Sequence, residues 1–234
     1  MILHVRMTAD TVKSIVTWGA AIGAAFAFIR QCRKPTGWLG RRLARAMNIG
    51  HGGLTSWGLE PLHIEPDSRV LDIGCGGGQT VRRVAEIATA GRVDGVDYST
   101  ASVSVAQERN ADLIAAGRVR VQQGSVSQLP FGDAAFDAVT AIETHYYWPD
   151  LSKDFREVLR VLKPGGAFML VAEAFKGRRM DWAHRLIMQG VLRSNYLTLE
   201  EHRRALLDAG FVDVTVETNE SRAWMRAAGF RPSV

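Results

Sequence analysis

From Arg69 onward, short runs of apolar residues alternate with longer stretches in which apolar and polar residues recur at helical spacing. The apolar runs are rich in Val, Ile and Leu, as expected for strands that are buried on both faces of a parallel sheet. Alternation of such strands with amphipathic helices is typical of βαβ units. The pattern predicts strands at RVLDI (69–73), RVDGVD (92–97), RVRVQ (118–122), FDAVTAI (136–142) and AFMLVAE (167–173), and helices near 78–89, 101–115 and 151–161.

The pattern changes after residue 180. A helical stretch near 181–192 precedes a helix predicted from Thr198 to Ala209, in which Thr198 and Glu201 have the spacing of a capping box and Gly210 is the expected C-cap. The last two runs, FVDVTVET and SRAWMRAAGF, are close enough to pair as an antiparallel hairpin at the sheet edge. The predicted fold is therefore α/β and Rossmann-like: a doubly wound, mostly parallel seven-stranded sheet with an antiparallel C-terminal hairpin and an N-terminal helical cap.

Residues 1–60 are predicted to form this cap, apart from the alternating body at 61–234. Ile15 to Ile29 is nearly continuous in apolar residues, and a cluster of basic residues follows it. The run has 15 residues, whereas a helix that crosses a bilayer needs roughly 20. Three interpretations stay open: a packed lid helix, an interfacial helix that contacts a membrane through residues 11–34, and a cleaved or unused extension.

Composition and charge narrow the function classes. With 234 residues, 47% of them hydrophobic, the chain suits one domain with an appendage. Its two cysteines, Cys32 and Cys75, are too few for a disulfide framework and favour a reducing, cytoplasmic setting. The net charge is +5, but residues 1–50 carry eight Lys and Arg against one Asp, a balance of +7 that leaves −2 for the rest. Because the body lacks a basic excess of its own, a nucleic-acid partner is disfavoured.

A glycine-rich loop, VLDIGCGGGQT (70–80), joins the first predicted strand to the first helix of the body. Glycine allows the sharp turn and the close backbone approach that a nucleotide needs beyond the carboxyl ends of parallel strands. The dinucleotide fingerprint G-x-G-x-x-G is incomplete, because Gln79 takes its third glycine position. Asp72 can pair with an ammonium group, and Asp97 can accept both hydroxyls of a ribose. These features favour S-adenosylmethionine over NAD.

The region resembles the class I S-adenosylmethionine-dependent methyltransferases. The resemblance rests on LDIGCGGG, GVDYS, QGSVSQLPF, FDAVTAIET and LRVLKPGGAFML, which follow the family's order between residues 69 and 172. It implies that 61–234 is the catalytic domain, that S-adenosylmethionine is converted to S-adenosylhomocysteine, and that no metal takes part. It further implies a methionine end at Asp72, Gly74, Cys75, Gly76 and Gly78, a ribose and adenine site at Asp97 and Tyr98, and adenine flanked by Gly124, Ser125 and Val126. Ser125 stands where many relatives have an acid.

The methyl acceptor is less constrained than the donor. The [DNS]-P-P-[YF] element of enzymes that methylate adenine or glutamine amides is missing after FDAVTAI, and two cysteines cannot form the three-thiol site of arsenic methylation. A small organic acceptor, methylated at O, N or C, remains as the main hypothesis, with a resemblance to the ubiquinone and menaquinone enzymes. The alternatives are a membrane-associated quinone or lipid methyltransferase, peripheral to the membrane, and a non-catalytic adenosyl- or dinucleotide-binding module. The oligomeric state stays open, with a homodimer as one option.

The segment AIETHYYWPD (141–150) follows the fourth predicted strand and therefore lies beside the donor site. His145 is a candidate base because its ordinary pKa is near neutrality, with substrate contact and a structural role as equal alternatives. Glu143 is the candidate for contacting the donor or orienting His145, and Tyr146 completes the catalytic candidates. Tyr147, Trp148 and His51 are the candidate substrate-binding residues. Aromatic rings there would exclude water or hold a cationic centre, whereas packing under the following helix is the alternative for Trp148.

Overall fold

The computed structural model describes residues 31, 33–50, 52–177, 185–191 and 193–233. Seven strands and seven α-helices lie within these ranges. The helices are α1 (Gly37–Gly50), α2 (Gly52–Leu59), α3 (Gln79–Ile87), α4 (Thr100–Arg109), α5 (Ala111–Ala115), α6 (Leu151–Val161) and α7 (Leu199–Ala209). The strands are β1 (Arg69–Ile73), β2 (Arg92–Asp97), β3 (Val119–Gln123), β4 (Phe136–Ile142), β5 (Leu162–Ala172), β6 (Val212–Asn219) and β7 (Trp224–Phe230). Two short irregular helices, His145–Tyr147 and Leu186–Val191, follow β4 and β5.

The strands form one sheet in the order β3-β2-β1-β4-β5-β7-β6. The pairs β1–β2, β1–β4, β2–β3 and β4–β5 are parallel. Strand β7 lies between β5 and β6 and is antiparallel to both. The predicted seven-stranded, mostly parallel sheet with an antiparallel C-terminal hairpin is thereby confirmed.

The chain reverses its direction across the sheet at β1. Strands β2 and β3 follow β1 on one side, and β4 and β5 lie on the other. The connections therefore leave the carboxyl ends of β1 and β4 in opposite directions and open a crevice between them, which is where doubly wound sheets bind ligands. Asp97 and Ile142, the last residues of β2 and β4, mark this edge of the sheet.

Apolar residues of the parallel strands supply the core on both faces of the sheet. In β1, Leu71 belongs to the cluster that contains Phe155 of α6, while its neighbour Val70 belongs to the cluster that contains Val81 of α3 and Val103 of α4. Successive side chains of a strand point to opposite faces, so a strand covered on both sides needs apolar residues at nearly every position. In β1, Val70, Leu71 and Ile73 meet this requirement, and Asp72 is the buried polar exception.

Helix α2 covers the sheet near the carboxyl end of β5. A Cβ atom on Gly58 would lie 2.4 Å from Cγ2 of Val171, so the helix comes this close because position 58 has no side chain. Arg226 of β7 fixes the same helix: its Nη1 donates to the Trp57 carbonyl oxygen at 2.8 Å, and its guanidinium lies 4.6 Å from the centre of a Trp57 ring. Helix α2 is thus packed closely against the sheet, and its Thr55 lines the crevice.

Two local predictions have different outcomes. The capping box of α7 is confirmed: Thr198 Oγ1 accepts from Glu201 N at 3.1 Å, and Glu201 Oε2 accepts from Thr198 N at 2.7 Å. Gly210 ends that helix with φ 103. The single helix predicted at 101–115 is wrong, because the chain breaks at Asn110, whose Nδ2 donates to the carbonyl oxygens of Ala106 at 2.8 Å and Gly78 at 3.1 Å. A side chain that bonds its own backbone in this way competes with the helix.

The structure describes only part of the N-terminal segment for which predictions were made. Helices α1 and α2 fall within the predicted cap, but the apolar run Ile15 to Ile29, most of the predicted membrane-contacting segment 11–34 and His51 lie outside the described residues. Within the described ranges, no helix combines the length and the apolar character needed to cross a bilayer. The division into 1–60 and 61–234 remains a prediction.

Candidate active site

The glycine loop after β1 turns back over the end of β2. The N–H groups of Gly74 and Cys75 both donate to the Val96 carbonyl oxygen, at 2.7 and 3.1 Å. Gly74 has φ 69, and a Cβ atom there would lie 2.0 Å from Thr144 Oγ1, so two separate constraints require glycine. Gly76, with φ 51, has open space in front of it. The loop backbone can therefore meet a ligand closely at Gly76.

Asp97 ties the loop to the end of β2. Its Oδ2 accepts from Gly76 N at 2.9 Å and its Oδ1 accepts from Ser99 N at 2.8 Å. Burial raises the pKa of this carboxyl, and the two N–H groups act in the opposite direction. Each carboxylate oxygen can accept a second hydrogen bond, so Asp97 can hold the loop and a ribose diol at the same time.

Asp72 is a buried carboxyl in the wall of the crevice. Thr140 Oγ1 donates to its Oδ1 at 2.7 Å. Burial, with a smaller contribution from the nearby Asp97 carboxylate, raises the pKa of Asp72 to about 7. An ammonium group of a ligand would favour the ionised form, because an opposite charge close by stabilises a carboxylate. Asp72 is thus suited to a cationic ligand and poorly suited to a phosphate.

The segment before α1 covers the end of β2. Tyr98 donates through its hydroxyl to the Arg33 carbonyl oxygen, and Ser99 Oγ donates to the Pro35 carbonyl oxygen at 2.6 Å. Arg33 and Pro35 both line the crevice. The cap therefore contributes directly to the wall on the side where the sequence predicts the ribose and adenine.

Glu143 follows β4 in a left-handed backbone conformation, φ 57. This region costs a residue with a side chain about 1–2 kcal/mol, and the hydrogen bond from Glu143 N to the Val171 carbonyl oxygen, 2.9 Å long, helps to hold it. Glu143 Oε1 accepts from Tyr146 Oη at 2.9 Å and from Glu173 N at 2.6 Å. Burial, reinforced by the Glu173 carboxylate, raises the pKa of Glu143 to about 8. Glu143 lines the crevice and can exchange a proton near neutral pH.

Tyr146 lies behind Glu143. Its hydroxyl donates to Glu143 and accepts from the N–H groups of Glu173 at 3.1 Å and Ala174 at 2.9 Å. Burial raises the pKa of Tyr146 well above its usual value, so the phenol keeps its proton. The side chain therefore orients the Glu143 carboxyl from the core side.

His145 is fully buried in the core. Its Nε2 lies 3.0 Å from Nε2 of His202 in α7. Burial and the neighbouring imidazole lower the pKa of His145 well below its usual value, so the ring is neutral. Of the three roles that the sequence left open for His145, this environment favours the structural one.

Tyr147 and Trp148 line the crevice beyond Glu143. The Trp148 ring also packs against Phe155, 5.5 Å between centroids, and Phe168, 6.5 Å between centroids. The two interpretations of Trp148 are therefore compatible: it packs under α6 and still presents a surface to the crevice. Asn195 fixes this segment, since its Nδ2 donates to the carbonyl oxygens of His145 at 3.1 Å and Trp148 at 2.8 Å.

Together these elements enclose a crevice of about 280 Å³, near the lower end of the range for small-molecule sites. Gly78 stands behind the loop, where a Cβ atom would meet Asn110 Nδ2 at 2.6 Å. His145 and Tyr146 lie in the core, and His51 lies outside the described residues. The predicted site residues that line the crevice are Asp72, Gly74, Cys75, Gly76, Asp97, Tyr98, Gly124, Ser125, Val126, Glu143, Tyr147 and Trp148.

Some lining residues were missed from the sequence. Arg33, Pro35 and Ala44 reach the crevice from the N-terminal segment and α1. Their approach depends on how the cap folds over the sheet, and no local pattern indicates it. Thr144 could have been inferred, because it stands in the quoted segment after β4 and its hydroxyl occupies the space that Gly74 leaves empty.

The sheet order and the crevice define the class of protein. A glycine loop after β1, a carboxylate at the end of β2 for a diol and a second carboxylate suited to an ammonium group fit S-adenosylmethionine. Among the described residues, no group of three or more His, Cys, Asp and Glu side chains converges as a metal site requires. The chain carries a class I S-adenosylmethionine-dependent methyltransferase domain.

Comparison with known proteins agrees with this class. A family model described as "Methyltransferase domain" matches residues 71–170. Erythromycin 3''-O-methyltransferase of Saccharopolyspora erythraea is 29% identical over 179 residues, which are 71% of this chain and 58% of that protein. A sterol 24-C-methyltransferase of Neurospora crassa is 31% identical over 156 residues, 63% of this chain and 40% of that protein. The chain thus matches less than two thirds of the length of either relative.

A solved structure shares the fold. Geranyl diphosphate C-methyltransferase of Streptomyces coelicolor, in complex with Mg²⁺, geranyl-S-thiolodiphosphate and S-adenosyl-L-homocysteine, superposes with a TM-score of 0.65 at 21% sequence identity. The match covers 76% of this chain and 75% of that one.

Proposed function

We propose that the protein transfers a methyl group from S-adenosylmethionine to a small organic acceptor. One observation carries the proposal: a continuous crevice joins the glycine loop, Asp72 and Asp97 at one end to Glu143, Tyr147 and Trp148 at the other. A donor held by the loop would therefore have its reactive end beside the Glu143 carboxyl and the aromatic wall. When bound, S-adenosylmethionine supplies an electrophilic methyl group on a sulfonium.

The donor end takes the residue roles implied by the family resemblance. Asp72 binds the ammonium group and Asp97 the ribose hydroxyls, while Gly74, Cys75 and Gly76 provide the close backbone. Tyr98, Gly124, Ser125 and Val126 surround the adenine, and Ser125 offers a hydroxyl in place of the acid found in many relatives. Gly78 acts indirectly, because it keeps the start of α3 tight against Asn110.

Glu143 is the residue that we propose as the base. Its carboxylate accepts the proton of an acceptor hydroxyl or amine, and the Tyr146 hydroxyl holds the carboxyl in place from behind. With a pKa of about 8, the carboxyl is a stronger base than an ordinary glutamate and is still partly ionised at neutral pH. His145 acts only by supporting the segment from the core. Holding donor and acceptor in line in a site that excludes water contributes the rest of the rate.

The acceptor end favours an apolar molecule with one polar group. Tyr147 and Trp148 present ring surface, and Ile142 and Pro149 complete the apolar lining nearby. Glu143 is then the polar group that meets the nucleophile. The names of the two relatives refer to O-methylation of erythromycin and to C-methylation of a sterol. They support an organic acceptor, and the choice among O, N and C remains open.

The test is a screen of hydroxylated and phenolic organic acceptors with S-adenosylmethionine labelled in the methyl group. With an accepted compound, wild type should transfer label, and kcat/KM should rise with pH through about 8 as Glu143 ionises and level off above that pH. Glu143→Gln should lower kcat by roughly 10²–10⁴-fold and remove this pH dependence. Because glutamine has nearly the shape of glutamate and the glycine loop is unchanged, S-adenosylhomocysteine affinity should stay close to wild type. Unchanged kcat in Glu143→Gln would reject Glu143 as the base.

Two alternatives have distinct outcomes. A quinone or other lipid acceptor, with the enzyme peripheral to the membrane, predicts turnover of acceptors presented in vesicles and little turnover of water-soluble ones. A non-catalytic adenosyl- or dinucleotide-binding module predicts ligand binding without transfer to any acceptor. Calorimetric titration with S-adenosylhomocysteine and with NAD separates these cases, since tight NAD binding without S-adenosylhomocysteine binding would reject the methyltransferase.

A further inference from the structure

The outer side of α1 combines aromatic, apolar and basic side chains. Helix α1 contains three arginines and no acidic residue. On its inner side Gly40 and Ala44 are buried, whereas on its outer side Trp38 is 71% exposed and Leu39 is 47% exposed. Such exposure is unusual for an indole ring, which normally buries most of its surface. We call Trp38, Leu39 and Arg42 the α1 outer face.

The positive charge around this face is only partly balanced by acids. Arg41 and Arg45 both pair with one carboxylate, Glu108 of α4; the Arg45 Nη2 to Glu108 Oε2 distance is 2.8 Å. The Lys34 ammonium lies 5.4 Å from the centre of the Tyr98 ring, and the Arg42 guanidinium lies 5.6 Å from a ring centre of Trp38. Since the three arginines of α1 are matched by the single carboxylate of Glu108 in these pairs, the face keeps an excess of positive charge and is complementary to an anionic surface.

We propose that the α1 outer face docks on an anionic lipid bilayer. Trp is enriched at the headgroup level of membranes, because its ring is apolar and its N–H is polar. Lys and Arg next to it pair with acidic lipid headgroups within a Debye length of the surface. The combination of an exposed Trp and Leu with adjacent cations is the chemistry of a helix that lies on a bilayer.

The same helix connects this face to the crevice. Ala44, on the buried side of α1, and Arg33 and Pro35, just before the helix, all line the crevice. A bilayer on the outer face would therefore lie about one helix diameter, roughly 10 Å, from the crevice wall.

The experiment is co-sedimentation of the full-length protein with vesicles of phosphatidylglycerol and of phosphatidylcholine. Wild type should bind the anionic vesicles, and binding should fall as salt rises from 0.05 to 0.5 M, about the range over which surface charges become screened. Trp38→Ser/Leu39→Ser should weaken binding to phosphatidylglycerol roughly tenfold or more. Arg42→Glu should weaken it as well, and more strongly at low salt.

A matched control carries the same kind of change far from α1. Leu207 and Val212 are exposed apolar residues, 41% and 40% exposed, on α7 and β6 at the opposite edge of the sheet. Leu207→Ser/Val212→Ser should bind vesicles like wild type. Quenching of tryptophan fluorescence by brominated phosphatidylglycerol gives a second measurement on the unmodified chain, and Trp38→Phe should lose a large part of it.

Several outcomes would overturn the proposal. It fails if phosphatidylglycerol vesicles sediment without wild-type protein. It also fails if Trp38→Ser/Leu39→Ser binds these vesicles like wild type, because binding would then belong to another segment, such as residues 1–30. A third contrary outcome is that wild type does not bind vesicles and forms a dimer, which Trp38→Ser/Leu39→Ser converts to a monomer. S-adenosylhomocysteine titration of that variant keeps the two proposals apart: unchanged affinity with lost vesicle binding affects only the docking face, whereas absent affinity in wild type rejects the methyltransferase.

Discussion

His145 Nε2 and His202 Nε2 lie 3.0 Å apart in the core, between the segment after β4 and helix α7. His202 Nδ1 lies 2.7 Å from the Thr198 carbonyl oxygen, which can only accept, so Nδ1 carries the proton. His202 Nε2 is then the acceptor and His145 Nε2 the donor. Within the described part of the chain, His145 Nδ1 is buried without a hydrogen-bond partner. This assignment holds when both rings are neutral, which is the state that burial favours by lowering the pKa of each imidazole.

This pair should make the protein sensitive to acid. Burial lowers the pKa of both imidazoles, so as pH falls below about 6.5 the unfolded histidines take up protons that the folded ones do not. The stability that the neutral pair provides is complete above that pH and is lost as pH falls, by up to about 1.4 kcal/mol per pH unit for each histidine. Urea unfolding at pH 7.5, 6.5 and 5.5 measures the slope.

The comparison needs a variant in which both partners become apolar. The stability of His145→Leu/His202→Leu should fall much less than that of wild type between pH 7.5 and 5.5, because no buried imidazole remains to be protonated. His63→Gln, a change on a surface side chain that is 87% exposed, is the control and should keep the wild-type slope. Equal slopes in wild type and the double variant would contradict the prediction.

Asp72 should make donor binding depend on pH. Its pKa of about 7 in the free protein means that the carboxyl must lose a proton before it can pair with the ligand's ammonium group. Affinity for S-adenosylhomocysteine should therefore rise between pH 6 and 8 and then level off. Asp72→Asn should lower the affinity by about 2 kcal/mol or more, on the order of thirtyfold, and flatten the pH profile. Calorimetric titration at several pH values is the measurement, and a profile in the variant parallel to wild type would show that another group titrates.

Two glycines of the same loop should respond differently to alanine. Gly74→Ala introduces a Cβ atom 2.0 Å from Thr144 Oγ1 at φ 69, so it should lower the free energy of unfolding by roughly 2–4 kcal/mol. Gly76→Ala should lower the free energy of unfolding only by the cost of a side chain at φ 51, about 1–2 kcal/mol, because its Cβ points into open space. Its methyl group should nevertheless weaken S-adenosylhomocysteine binding, since we propose that the donor occupies that space. Equal stability losses in urea unfolding would contradict this distinction.

Asn195 should control the order of the aromatic wall. Asn195→Ala removes the two hydrogen bonds from Nδ2 to the His145 and Trp148 carbonyl oxygens, which should cost roughly 1–3 kcal/mol of stability. Hydrogen exchange at Tyr147 and Trp148 should become faster, while S-adenosylhomocysteine affinity stays near wild type. Ser194→Ala is the control, because the Ser194 hydroxyl bonds only to the Met188 carbonyl oxygen among the bonds described for it. Unchanged exchange at both residues in Asn195→Ala would show that the wall is held by other contacts.

The parts of the site that follow strand ends were predictable from sequence. Asp72 and Asp97 stand at the carboxyl ends of β1 and β2 because apolar periodicity locates those strands, and parallel strands bring such ends to one edge. The resemblance of the glycine loop and of FDAVTAIET then identified the class. These are local features, set by side-chain periodicity and by turn chemistry.

The roles within AIETHYYWPD were not predictable in the same way. The alternation of side chains along a strand does not predict the left-handed φ of 57 at Glu143, which redirects the chain after β4. This alternation also cannot predict that the ring of His145 contacts His202, 57 residues further along the chain. As a result, the sequence made His145 the candidate base, whereas our proposal assigns that role to Glu143.

By itself, the sequence determined the order and type of the elements of the body, the class of protein and the strand ends that lie beside the crevice, because these depend on residues close together in the chain. Only the tertiary structure decided which side chains reach the crevice. Arg33, Ala44 and Thr55 come to it from the cap, and His145 leaves it for the core. Burial and proton affinity are properties of the packed surroundings, and residues distant in sequence supply those surroundings.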